Sequence, residues 1–112
     1  MNSKPIEVLL IEDDPGDARR VTEMLKQGTG VLGLSTFHLT HIEQLNDGLR
    51  RLAEVNFDII LADLSLPDSG GLEAFRRLRQ VAPEIPLVVL SGSGDMALAM
   101  QAVREGAQDY LN

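Results

Sequence analysis

Three sets of oxygen-bearing side chains close apolar runs in this chain. They are Glu12-Asp13 after Ile6 to Ile11, Asp63 after Ile59 to Ala62, and Ser91 after Leu87 to Leu90. Three carboxylates held together repel one another, and one of them then has its pKa pushed up. A hard divalent cation removes that penalty, and Mg²⁺ suits such a site because it takes a few oxygen ligands, keeps several waters and is often completed by a phosphate. Ser91 adds a hydroxyl donor, and Gly92 and Gly94 beside it let backbone N–H groups approach an anion closely. These residue types describe a metal site with room for a phosphoryl group, on condition that the run ends meet in space.

That condition falls on the elements carrying them. Short apolar runs bounded by turn residues read as strands buried on both faces. The chain gives strands at Ile6 to Ile11, Ser35 to Thr40, Ile59 to Ala62, Leu87 to Leu90 and a last one beginning Asp109-Tyr110-Leu111. Helical spacing fills the gaps. A first helix starts with Asp14 as N-cap and Pro15 as first residue, shows Ala18, Val21, Met24 and Leu25 as its apolar side, and stops near Gln27 at Gly28 and Gly30. A second spans about Ile42 to Val55 with Leu45, Leu49, Leu52 and Ala53 on one face. A third runs from Leu72 to Val81 with Phe75 and Leu78 inward, and a fourth from Asp95 to Glu105.

Strict alternation of continuous apolar strands with helices means a parallel sheet covered on both faces. The expected fold is α/β, a doubly wound, flavodoxin-like sheet of five strands in the order 2-1-3-4-5. The first, third and fourth strands are then neighbours, so Glu12, Asp13, Asp63 and Ser91 converge on one crevice at the switch point. Residues 1–112 make one domain, large enough to bury a core without disulfides, of which there are none because the chain has no cysteine. The net charge of −7 argues against a binder of phosphate backbones. The chain also has no apolar run near the roughly 18 residues of a membrane span, and its start is no secretory signal. A cytoplasmic setting follows from the missing cysteines as an expectation.

Four pieces in order carry a family resemblance. They are Glu12-Asp13 after Val8-Leu9-Leu10-Ile11, then Asp63-Leu64-Ser65-Leu66-Pro67 with Gly71, then Leu87-Val88-Val89-Leu90-Ser91-Gly92, and last Gly106-Ala107-Gln108-Asp109-Tyr110-Leu111. With these the chain resembles the receiver domains of bacterial two-component response regulators along its whole length. The resemblance implies a switch rather than an enzyme. Asp63 would accept a phosphoryl group from a sensor histidine kinase or phosphotransfer domain. Glu12, Asp13, the Asp63 carboxylate and the backbone carbonyl of Ser65 would hold Mg²⁺. Ser91 would hydrogen-bond the phosphoryl oxygens, Tyr110 would be the switch aromatic, and Ser65 and Ser93 would tune the lifetime of the aspartyl phosphate. An output domain or partner protein would read the result.

One departure stands out. Receivers carry a lysine at the end of the fifth strand and a fifth helix after it, and both would fall beyond Asn112. The chain is therefore expected to be the N-terminal part of a longer protein, and the uncovered strip of sheet favours a homodimer. The rival reading is a pseudo-receiver, an interaction module that phosphate does not switch. A haloacid dehalogenase-like hydrolase would need an aspartate where Ser65 stands, and a flavodoxin would not set Glu12-Asp13-Asp14 against its flavin phosphate. His38 and His41 read as structural or surface residues far from the acidic edge, and Arg76, Arg77 and Arg79 as a solvated helix face.

Overall fold

A computed structural model describes residues 5–32, 37–63, 72–90 and 109–111. In chain order they form β1 (Ile6–Ile11), α1 (Pro15–Leu32), β2 (Phe37–Ile42), α2 (Leu45–Glu54), β3 (Ile59–Asp63), α3 (Leu72–Val81), β4 (Leu87–Leu90) and β5 (Asp109–Leu111). The five strands make one sheet in the order β2-β1-β3-β4-β5, every neighbouring pair parallel, as expected from the alternation. Residues 64–71 and the expected fourth helix lie outside the described residues.

Residue parity divides the core in two. In β1, Leu9 and Ile11 pack with Ile60 and Ala62 of β3, Leu87 and Val89 of β4, Leu45 of α2, and Ala74, Phe75 and Leu78 of α3. The alternate residues Val8, Leu10, Leu61 and Leu90 pack with Ala18 and Val21 of α1. Successive side chains of a strand point to opposite faces, so a run with helices on both sides must be apolar throughout. This is why β1 from Val8 to Ile11, β3 from Ile59 to Ala62 and β4 read as unbroken apolar runs.

The helices depart from expectation in four places. α1 continues through Gly28 to Leu32. A glycine inside a helix is unfavourable by about 1 kcal/mol relative to alanine, but unlike proline it keeps its N–H, so the hydrogen-bond ladder passes through it. Met24 is 48% exposed, because Ala18, Val21 and Leu25 suffice to form the stripe against the sheet and Met24 lies at its margin. Ala53 is likewise exposed, while Leu49 and Leu52 pack against the core. Of the α3 arginines Arg76 is exposed, but Arg77 and Arg79 are only partly solvated: Arg77 donates to Asn46 Oδ1 across to α2 at 3.1 Å, and Arg79 reaches the Ile85 carbonyl at 3.4 Å.

The second strand runs from Phe37 to Ile42, two residues later than its apolar pattern placed it, and α2 starts correspondingly later, at Leu45. The reason is pairing. Ile6 to Ile11 lie opposite Phe37 to Ile42 one for one, so β2 extends as far as β1 offers a partner. α2 then lies close over the end of β1, with Gly48 at the contact. A Cβ on Gly48 would stand 2.6 Å from Ile11 Cδ1 and 3.2 Å from Ile11 Cγ1. Gly48→Leu is therefore expected to destabilise the fold by about 1–3 kcal/mol through overpacking, seen as a lower urea midpoint at unchanged slope. A midpoint equal to that of the parent chain would show that α2 has room to spare.

Candidate functional site

The site follows from the register of the two central strands. β1 and β3 pair Val8 with Ile59 through to Ile11 with Ala62, so the next step along both chains brings Glu12 level with Asp63. Parity places Asp63 on the same face as Leu61, the side covered by α1. Glu12 is 3% exposed and Asp63 6%, the two buried charged residues among those described. Asp13 next to them is exposed. One carboxylate oxygen from each of Glu12, Asp13 and Asp63 lies within 4.8 Å of the other two.

The turn into α1 holds this group in place. The Asp14 side chain caps the helix, with Oδ1 accepting from the Gly16 N–H at 2.7 Å and the Asp17 N–H at 3.2 Å. Its own N–H donates to Glu12 Oε2 at 3.2 Å. The cap is thus spent on Asp14, which leaves Glu12 and Asp13 free of that duty. The Glu12 backbone is fixed by β2: its N–H donates to the Ile42 carbonyl at 2.9 Å, and its carbonyl lies 2.7 Å from His41 Nε2. A carbonyl only accepts, so Nε2 carries the hydrogen of that bond.

His41 is thus not remote from the acidic edge. Placing β2 at Ser35 to Thr40 puts His41 in a loop, whereas the observed register puts it beside Glu12. The signal lies in the pairing rather than in composition. His38, by contrast, pairs with Glu7 at 2.9 Å near the opposite end of the strand. Ser65, Ser91 and Ser93 lie outside the described residues, and for Tyr110 only the backbone is described, in β5 opposite Val89.

Burial pushes the Glu12 carboxyl up to about 8, helped by its hydrogen bond to Asp63, by the Asp63 charge and by Asp13, while the Asp14 amide pulls it down. The donor set, carboxylate oxygens alone, is that of a hard ion such as Mg²⁺, Mn²⁺ or Ca²⁺. No helix among the described residues is long and apolar enough to cross a membrane.

Comparison with known proteins gives the family. Residues 8–112 match the family described as the response regulator receiver domain. The chain is similar to the cell cycle transcriptional regulator CtrA of Caulobacter vibrioides, 33% identical over 104 residues that make up 93% of this chain and 42% of that protein. It is also similar to the C4-dicarboxylate transport transcriptional regulatory protein DctD of Pseudomonas aeruginosa, 31% identical over 105 residues, 94% of this chain and 21% of that protein. The chain thus spans less than half the length of these curated relatives. Among solved structures it is similar to the receiver domain of the Pseudomonas aeruginosa sensor histidine kinase PA1611, which has a magnesium ion coordinated in its active site cleft. That match is 28% identical with a TM-score of 0.73 and covers 96% of this chain and 84% of that one.

The raised Glu12 pKa gives the metal-free fold a definite pH dependence. Folded, Glu12 keeps its proton up to about 8, and unfolded it releases it near the ordinary 4.5. Between those values the folded state binds more protons. The stabilisation from this group is therefore complete below the lower value and is lost as pH rises through the upper one. In chelator, the melting temperature of the parent chain is expected to fall across that window relative to Glu12→Gln, and Mg²⁺ is expected to remove the difference. Parallel profiles for the two proteins would show that Glu12 titrates normally.

Proposed function

The chain belongs to the response regulator receiver domain family, and from that membership we propose that it is a phosphorylation switch with Asp63 as the phosphoacceptor. Receivers of this family are regulatory modules, and the output here is a changed binding surface rather than a released product. The observation that carries the reading is the meeting of Glu12, Asp13 and Asp63 at the ends of β1 and β3, two of them buried. A structural module with no switching role gains nothing from burying carboxylates against each other, which is the argument against the pseudo-receiver reading.

The donor is a phosphohistidine of a sensor histidine kinase or a phosphotransfer domain. An Asp63 carboxylate oxygen forms a bond to phosphorus in line with the P–N bond to the donor imidazole. That bond breaks, and the departing ring nitrogen keeps the electron pair. Such a transfer asks the protein mainly for alignment and for neutralisation of charge on the phosphoryl oxygens. Mg²⁺, held by Glu12, Asp13, Asp63 and the Ser65 carbonyl, supplies that neutralisation when bound. Glu12 and Asp13 orient the acceptor through the shared ion site, and the buried setting of Asp63 keeps bulk water from one side of it. The Ser91 hydroxyl donates to a phosphoryl oxygen, and Tyr110 reports the change to an output domain or partner protein, a second copy of the chain included. The setting of such a switch is cytoplasmic, and the domain is one part of a longer regulator.

The test is incubation with Mg²⁺ and a small phosphodonor, read by intact mass. The parent chain, or one extended past Asn112, is expected to gain the mass of one phosphoryl group. Asp63→Asn should gain none, and Glu12→Gln with Asp13→Asn should slow the gain by about a hundredfold or more. Equal labelling of the parent chain and Asp63→Asn would overturn the assignment of the acceptor.

A further inference from the structure

The acidic pair sits on a stretch of backbone that has left the strand ladder but is not yet helix. β1 pairs with β2 only as far as Ile11 opposite Ile42, and α1 begins at Pro15. The Glu12–Asp13 peptide lies in that gap, and its orientation sets where both carboxylates point. Two bonds from β2 govern Glu12: the Ile42 carbonyl takes its N–H at 2.9 Å, and His41 Nε2 meets its carbonyl at 2.7 Å. The first bond is a continuation of the sheet and is indifferent to side-chain identity. The second depends on a side chain, and one from an exposed residue whose removal leaves no cavity in the core.

We propose that His41 is a positioning residue of the metal site, its Nε2–H holding the Glu12 carbonyl so that the Glu12–Asp13 peptide presents both carboxylates toward Asp63. The bond acts on the one plane shared by the two acidic residues. The Glu12 N–H lies on the peptide before that plane, and the Asp14 amide reaches Glu12 only through its side chain. Without the His41 bond the plane is free to turn about its flanking dihedrals, and the carboxylates lose their preset separation. Groups that orient metal ligands commonly matter by about 10–100-fold in affinity. Here the ligand is oriented through its main chain, and the expected effect is at the lower end, about tenfold. The inference rests on the reading of Glu12, Asp13 and Asp63 as a site for a hard divalent cation.

The experiment compares the parent chain with His41→Phe, which keeps a ring without the donor, and His41→Gln, whose terminal amide restores a donor at similar reach. Mg²⁺ is titrated in by calorimetry, the Asp13 and Asp14 amide shifts are followed in the metal-free proteins, and urea midpoints are taken in chelator. The expected result has four parts: Mg²⁺ affinity about tenfold lower in His41→Phe, displaced metal-free shifts at Asp13 and Asp14, near-parent values for both in His41→Gln, and midpoints that stay together. Parent-like affinity and shifts in His41→Phe would overturn the proposal and leave the metal site standing. So would an affinity loss that His41→Gln fails to restore, since the ring and not the hydrogen bond would then matter. A parent chain with no Mg²⁺ binding at all would instead overturn the metal site and this role with it.

Discussion

Two carboxylates that water barely reaches face each other at the ends of neighbouring strands, and much of the domain is arranged around the consequence. Ionised together in a site of low polarity, Glu12 and Asp63 would repel strongly, because charges a few ångströms apart are poorly screened once solvent is excluded. The fold offers three partial remedies: a proton retained on Glu12, the Asp14 amide directed at Glu12 Oε2, and a third carboxylate, Asp13, left exposed where it can share a cation. None of these neutralises the group, which is what makes it responsive. A site already satisfied by the protein would have no use for an ion or a phosphoryl group.

The sheet makes this arrangement possible because it is rigid just below the site. Leu9, Leu10, Ile11, Ile60 and Val89 are at most 1% exposed and come from the three strands whose ends frame the crevice. Leu9, Ile11, Ile60 and Val89 face the α2–α3 side, while Leu10, Leu61 and Leu90 face the α1 side, so each strand is clamped from both faces. At the far end the Asp58 N–H donates to the Glu7 carbonyl and the Glu7 N–H to Asp58 Oδ2, each at 2.8 Å, which locks β1 and β3 in register before their apolar stretch begins. A slip of one residue would turn Asp63 to the opposite face and part it from Glu12. The register that buries the core is therefore also the register that assembles the site.

Much of this is legible in the residues themselves. Apolar runs at Ile6 to Ile11, interrupted only by Glu7, at Ile59 to Ala62 and at Leu87 to Leu90 require a sheet covered on both faces, and a doubly wound order then brings Glu12, Asp13 and Asp63 together. Asp14-Pro15 marks the start of α1 to the residue. The less apolar second strand is harder to read, because at a sheet edge burial no longer enforces the pattern: its residues are at best half-buried, and only pairing with β1 defines where it ends. That ambiguity hides His41, whose contact depends on a register that no local signal encodes. Gly28 misleads for a related reason, since it weakens a helix without stopping it.

The packing also constrains how a switch built on this plan can work. An interior at crystal-like density does not deform gradually, so charge added at Asp63 cannot be relayed by bending the strands beneath it. Any response has to leave the site through segments attached to the strand ends. On β1 that segment is the Glu12 to Asp14 turn, which passes into the capped start of α1 and is tied sideways to β2 by Ile42 and His41. The turn is thus anchored on two sides and cannot carry the change far. Its anchoring has a different use: it fixes one half of the site. Ion binding at such a fixed half adds stability to whichever arrangement completes the coordination, in proportion to the difference in affinity between arrangements. On the proposed reading, the rigidity of Glu12 and Asp13 would be what turns a local gain in charge at Asp63 into a preference between whole conformations.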